Sequence, residues 1–157
     1  MNAIFAGSFD PFTVGHLDIV ERISKQFEIV YVSILYNPGK DTALFSIDER
    51  EELIRDATVR LDNVKVMHFD GLLVEHARKL NTRCIVRGIR TGADVDYERM
   101  LEAVNKKLDG DIETIYLLSK PEHAYISSSL VRQLMELKIT IDDLVPNPNH
   151  RIFTERK

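Results

Sequence analysis

Gly7-Ser8-Phe9-Asp10-Pro11-Phe12-Thr13-Val14-Gly15-His16 is the stretch that decides how this chain is read. It follows the apolar run Ala3-Ile4-Phe5-Ala6, which predicts a buried first strand. It precedes Leu17-Asp18-Ile19-Val20-Glu21-Arg22-Ile23, which predicts an amphipathic helix. A glycine-rich turn between a strand and a helix aims backbone N–H groups and the positive helix end at one spot, and that spot suits a phosphate. His16 stands where the helix opens, so its imidazole can reach the same anion. Neither G-x-x-x-x-G-K-[ST] nor G-x-G-x-x-G occurs in the chain, which excludes the Walker A loop and the dinucleotide fingerprint.

Outward from this turn, strand and helix patterns alternate. Ile29 to Leu35 is a second β-branched run, followed by the loop Tyr36-Asn37-Pro38-Gly39-Lys40-Asp41-Thr42. Ser46 and Glu49 fit a capping box, opening a helix with Leu53, Ile54, Ala57 and Leu61 on one face. Val64 to Phe69 reads as a third strand, Leu72 to Leu80 as a short helix, and Cys84-Ile85-Val86 as a short fourth strand running into Arg87-Gly88-Ile89-Arg90. A helix from Tyr97 to Leu108 carries the apolar stripe Met100, Leu101, Val104 and Leu108. Ile112 to Leu118 is a fifth strand, and Ser127-Ser128-Ser129 opens a helix through Leu137. A helical turn near Ile141–Leu144, then Pro146, Pro148 and a polar end, close the chain. The expected fold is α/β, a doubly wound five-stranded parallel sheet in a single domain over residues 1–157. In such sheets ligands bind outside the carboxyl ends of the strands. The turn 7–16, the loop 37–40, the segment 87–90 and the segment 123–129 all fall at that edge. Strand order is not legible at this level.

Composition narrows the function. The 157 residues are 44% hydrophobic and 29% charged, an ordinary globular balance. A net charge of -4, from 21 basic and 25 acidic side chains, argues against generic nucleic-acid binding. An anion site must then be a local concentration of positive charge. Cys84 is the one cysteine, so no intrachain disulfide forms, which fits a reducing cytoplasm. No charged, apolar leader precedes the first strand, and no apolar run nears the ~20 residues of a membrane span, so no membrane partner is expected.

Each candidate residue has a bland reading beside the chemical one. His16 alone reads as an exposed turn residue; the glycine-rich turn before it points to a donor for a phosphoryl oxygen. Ser8 fits a turn-former and a phosphate ligand equally. Asp10-Pro11 is read as structural, since both are turn residues. Arg87 and Arg90 flanking Gly88 fit solvated surface arginines, but their position at a strand's carboxyl end points to an anion. Lys40, alone in a loop, is a weak signal. One helix N-cap needs one serine, so three in a row suggest hydroxyls for a polyphosphate. Asp94, Asp96 and Glu98 suit the first turn of a helix. His68, His76, His123 and His150 show no metal-ligand spacing, and Cys84 reads as core. No nucleophile–base arrangement stands out, as befits a reaction carried by positioning and charge stabilisation.

The segment G-S-F-D-P-x-T-x-G-H resembles the signature of the nucleotidyltransferase superfamily with T/H-x-G-H motifs, of Rossmann-like fold. Asn37-Pro38-Gly39-Lys40, Arg87-Gly88-Ile89-Arg90 with Ala93-Asp94 and Tyr97-Glu98, and Ile126-Ser127-Ser128-Ser129-Leu130-Val131 extend the resemblance to one group within it, the bacterial phosphopantetheine adenylyltransferases. The match runs from residue 2 to about residue 150. It implies transfer of the adenylyl group of ATP to 4'-phosphopantetheine, with magnesium, giving dephospho-coenzyme A and pyrophosphate, and no covalent enzyme intermediate. It implies that Ser8 and His16 flank the α-phosphate, and that Lys40 and Arg87 hold the acceptor phosphate. Lys40 also touches the α-phosphate in the transition state, and Leu73 contacts the pantetheine arm. Phe9, Gly88, Ile89, Arg90, Glu98 and the run His123, Ala124, Tyr125, Ile126, Ser127, Ser128, Ser129 bind ATP on this reading, with Arg90 and Ser128-Ser129 on its outer phosphates. It further implies a cytoplasmic homohexamer inhibited by coenzyme A.

Ser8 stands where some members carry threonine, and His123 where some carry tryptophan. The rival acceptors are nicotinate mononucleotide and the substrates of small cytidylyltransferases. Those enzymes usually carry H-x-G-H and, in the cytidylyltransferases, an R-T-x-G-I-S-T segment. Here the positions are Thr13 and Tyr125-Ile126-Ser127-Ser128-Ser129. A non-catalytic nucleotide-binding module is the rival of another class, and intact His16, Lys40, Arg87 and Arg90 speak against it.

Overall fold

A computed structural model describes residues 1–36 and 42–156. Five parallel strands form one sheet in the order β3-β2-β1-β4-β5. They are β1 (Ala3–Gly7), β2 (Val30–Tyr36), β3 (Val64–Asp70), β4 (Cys84–Ile89) and β5 (Glu113–Leu118). Helices α1 (Val14–Ser24), α2 (Ile47–Ala57), α3 (Leu73–Lys79) and α4 (Gly92–Leu108) make the crossovers. A 3-10 turn at Pro121–His123, α5 (Ser128–Glu136) and α6 (Arg151–Thr154) complete the chain.

The central strands β1, β2 and the first half of β4 are buried on both faces, which is why they read as continuous apolar runs. Ala3 and Phe5 point into one cluster with Ile19, Val20 and Ile23 of α1. Ile4 and Ala6 point the other way, onto Val74 and Ala77 of α3. Strand order reverses between β1 and β4, the position where doubly wound sheets open a crevice. The pairing explains the opening. β1 pairs with β4 only at Ile4–Ile85 and Phe5–Val86, whereas β4 stays paired with β5 through Ile89–Leu118. Past Phe5 and Val86 the two central strands part.

Several expectations change. Arg87, Gly88 and Ile89 are part of β4 rather than a loop beyond it. α4 begins five residues before Tyr97, because Thr91 and Asp94 close a capping box there. Its apolar stripe is largely uncovered: Met100, Val104 and Leu108 are exposed. Leu61 lies beyond the end of α2. The tail is not a polar end: α6 buries Ile152 and Phe153 in a third cluster with Phe45, Leu53, Ile126, Val131 and Leu144. The Ser46/Glu49 capping box forms as read, and Cys84 is buried.

Phe153 meets Phe45 edge-on at 5.7 Å between ring centres. Phe153→Ala should therefore cost about 3–5 kcal/mol of stability in urea unfolding. A loss below about 1 kcal/mol would mean that the tail is not part of the core.

Candidate functional site

The parting of β1 and β4 leaves an open cleft of about 350 Å³ at their carboxyl ends. Its walls come from every motif on that edge that the structure describes: Ser8, Phe9 and His16 from the first turn and α1; Arg87, Gly88 and Arg90 from the end of β4; Glu98 from α4; and Ile126 to Ser129 from the start of α5. Lys40 lies outside the described residues. Leu73 is not part of the lining; it packs against the cluster containing Phe69 and Val74. His123, Ala124 and Tyr125 also lie off the lining, although His123 is close to Gly15 at the mouth of α1.

His16 is held by the first turn itself. Thr13 is the N-cap of α1, and His16 is the third residue of the helix rather than its opener. The Thr13 N–H donates to His16 Nδ1 at 3.1 Å, while the His16 N–H donates to Thr13 Oγ1 at 3.3 Å. This is a capping box with an imidazole in the place of the usual carboxylate, and it gives the T-x-x-H spacing a physical cause. An Nδ1 that accepts from a backbone N–H carries no proton, so in the neutral ring the proton sits on Nε2. The rings of Phe5, Phe9 and Phe12 surround it at 5.1 to 6.2 Å. That apolar wall, followed by Arg90 and Arg87, pulls the imidazole's pKa from 6.5 down to about 3. His16 is thus a neutral hydrogen-bond donor at physiological pH.

The arginines are less free than the sequence suggests. Arg87 forms a fork with Glu98 at 2.6 and 2.8 Å and also donates to the Ala6 carbonyl. Of its five N–H bonds two remain for a ligand. Arg90 holds Asp94 at 3.4 Å and the Ile126 carbonyl at 3.2 Å, which ties β4 to the start of α5. These are long contacts that a phosphate can displace. Glu98 thereby meets the cleft through Arg87.

The serines divide their work. Ser127 caps α5 by accepting from the Leu130 N–H. Ser128 Oγ donates to the Pro11 carbonyl at 2.8 Å, and Ser129 Oγ accepts from Arg132 at 3.2 Å. Arg132 also lines the cleft and pairs with Asp10 at 3.6 Å. Sequence reading passed over Arg132, though it stands one turn of helix beyond the serine run and so shares its face. Asp10 is structural, as read: its buried carboxylate accepts from the Leu44 and Phe45 N–H groups at 2.9 Å.

Among the described residues no group of three or more His, Cys, Asp or Glu side chains is placed to hold a metal ion. Asp94 and Glu98, the acidic residues of the lining, are both engaged by arginine. No helix among the described residues is long and apolar enough to cross a membrane.

The chain is similar to known proteins in sequence and in fold. A cytidylyltransferase-like family model matches residues 4–134. The chain is 45% identical to a phosphopantetheine adenylyltransferase of Caldanaerobacter subterraneus subsp. tengcongensis, over 92% of this chain and 90% of that one. It is 47% identical to another of that name from Symbiobacterium thermophilum, over 99% and 96%. In fold it resembles a bifunctional NMN adenylyltransferase/ADP ribose pyrophosphatase of Francisella tularensis, with a TM-score of 0.72 at 17% identity, over 99% of this chain and 48% of that one.

The depressed His16 pKa fixes a pH dependence. The unfolded chain takes up the proton near 6.5 and the folded chain only near 3, so this contribution to stability is complete above 6.5 and is lost as pH falls toward 3. In NMR titration the His16 ring signals should stay at the neutral position from about pH 8 to about pH 5. A midpoint near the ordinary histidine value would overturn the neutral-donor assignment.

Proposed function

The chain belongs to the phosphopantetheine adenylyltransferases, within the cytidylyltransferase-like family, and we propose that it joins ATP to 4'-phosphopantetheine to give dephospho-coenzyme A and pyrophosphate. The observation that carries the reading is the His16 imidazole. It is locked by Thr13 and held neutral, in a cleft walled by arginines and a serine-led helix.

A phosphate oxygen of the acceptor attacks the α-phosphorus of ATP. The new P–O bond forms as the bond to the bridging oxygen breaks, and pyrophosphate leaves with that electron pair. Charge grows on the α-phosphoryl oxygens, and the Nε2–H of His16 donates to them without giving up its proton. Ser8 flanks the same phosphate. Arg90, Ser128 and Ser129 take the outer phosphates. Lys40 and the two spare N–H bonds of Arg87 hold the acceptor phosphate, and Leu73 borders the pantetheine arm. Phe9, Gly88, Ile89, Glu98 and His123 to Ser127 form the nucleotide side. Nothing in this scheme needs a covalent enzyme intermediate.

The cleft's carboxylates, Asp94 and Glu98, are already paired with arginines, so magnesium would be held by the triphosphate and its own waters rather than by these side chains, and would offset phosphate charge there. Coenzyme A, which shares the pantetheine arm, acts as feedback inhibitor. The protein works in the cytoplasm as a homohexamer. Support for assembly comes from α4 and the edge strand β5. There Val95, Tyr97, Met100, Val104, Leu108, Ile115 and Leu118 are 39–72% exposed, an apolar surface of the kind that marks an interface.

Pyrophosphate release is expected with ATP, magnesium and phosphopantetheine. None is expected with nicotinate mononucleotide, with CTP and glycerol phosphate, or without acceptor. Release with another acceptor would reassign the acceptor site, and ATP binding without release from any pair would make the chain a nucleotide-binding module. In the same assay His16→Ala should lower kcat by ~10²–10⁴ with little change in ATP affinity. Near-normal turnover would remove His16 from its role.

Met100→Glu should shift the sedimenting species of the wild-type chain from a hexamer toward smaller forms. An unchanged sedimentation profile would place the assembly surface elsewhere.

A further inference from the structure

Four side chains from other elements reach the end of β1 and the first turn, and each donates to a backbone carbonyl there. Arg87 of β4 donates to Ala6, Arg50 of α2 to Ser8 at 3.0 Å, Arg132 of α5 to Asp10, and Ser128 of α5 to Pro11 at 2.8 Å. Between Ser8 and Asp10 the chain passes through Phe9 at φ +47°, a left-handed conformation that is an outlier for a bulky residue. Such backbone persists only where its surroundings over-determine it. Gly7 is part of that support: a Cβ there would stand 3.0 Å from the Phe9 ring. The Ser8 and Phe9 N–H groups make no hydrogen bond to another described residue.

Arg50 differs from the other two arginines. Arg87 and Arg132 line the cleft and pair with Glu98 and Asp10. Arg50 is 3% exposed, is absent from the lining, and pairs with no carboxylate among the described residues. Its second contact, to the Ser46 carbonyl, is a long 3.4 Å. A guanidinium does not lose its proton, so a full positive charge lies buried behind the turn. The Ser8 carbonyl and the Phe9 N–H belong to one trans peptide and point in opposite directions. Fixing that carbonyl on Arg50 turns the Phe9 N–H away from Arg50, and Ser8 and Phe9 both line the cleft.

We propose that Arg50 is a positioning residue for adenylyl transfer: its bond to the Ser8 carbonyl holds the strained Ser8–Phe9 peptide with its N–H turned to the transferring phosphate. Its buried charge adds to the field there. This rests on the reading of function given above. Arg50 touches no substrate and acts through the turn.

The test compares wild type, Arg50→Met and Arg50→Lys in the pyrophosphate assay, with the folded fraction measured at assay temperature. Arg50→Met should lower kcat about 10- to 100-fold while both KM values move less than about threefold. Arg50→Lys, which keeps the charge and one donor, should lose less. A kcat within about twofold of wild type overturns the proposal, as does a change confined to KM or a loss equal to the unfolded fraction. If Arg50→Met does not fold, the ³¹P resonance of the α-phosphate of ATP bound to Arg50→Lys decides. A displaced signal supports the role, and one superposable on wild type overturns it. A silent wild-type chain would overturn the reading of function instead, and the ³¹P comparison would still judge Arg50.

Discussion

β1 and β4 keep register for two residue pairs and then separate, while their outer neighbours stay paired to the ends of the strands. Ala6 and Gly7 on one side and Arg87 and Gly88 on the other are left with space between them. The first turn, the end of β4 and the start of α5 all close on that space. Without the reversal of strand order at this point the same motifs would stand on one sheet edge but face no common cleft. The separation in turn exposes backbone carbonyls to the site, and Arg87 covers the Ala6 oxygen. The sheet opening and the arginine-rich lining are thus one feature.

Electrostatics in the cleft rest on preparation rather than on excess charge. The chain as a whole is acidic, and the three arginines of the lining each stand beside a carboxylate. These partners differ in grip. Glu98 holds Arg87 in a short fork, so that arginine keeps its place and offers only its spare N–H bonds. Asp94 and Asp10 hold Arg90 and Arg132 at 3.4 and 3.6 Å, contacts that an incoming polyphosphate can exchange for its own oxygens. Burial among the three phenylalanine rings, and after it the charges of Arg90 and Arg87, keep His16 neutral. A neutral donor with one fixed tautomer needs no proton from solvent before it acts.

The back of the site is built as carefully as its front. Asp10 accepts from the Leu44 and Phe45 N–H groups and so ties the first turn to the start of the α2 region. Phe45 is in the cluster with Ile126, Val131, Ile152 and Phe153. The final helix therefore supports the serine-led helix and the first turn through one apolar body. The exposed Met100, Val104 and Leu108 of α4 lie off the lining of the cleft, whereas Tyr97, one turn earlier on the same helix, belongs to it.

What the sequence by itself determined is what short spacing records. The first turn, the Ser46/Glu49 capping box, the serine cap at 127 and the strand–helix alternation all depend on residues within a few positions of each other. The resemblance carried by four ordered motifs is of the same kind. The T-x-x-H box was visible as a motif, but its hydrogen bonds were not read from it. Tertiary structure alone decided strand order, the Arg87–Glu98 fork, the buried Ile152 and Phe153, and the placement of Arg50 and Arg132. Arg50 meets Ser8 across 42 positions and Arg132 meets Asp10 across 122. No period or cap encodes such contacts, because they form only when separate elements pack on the same sheet edge.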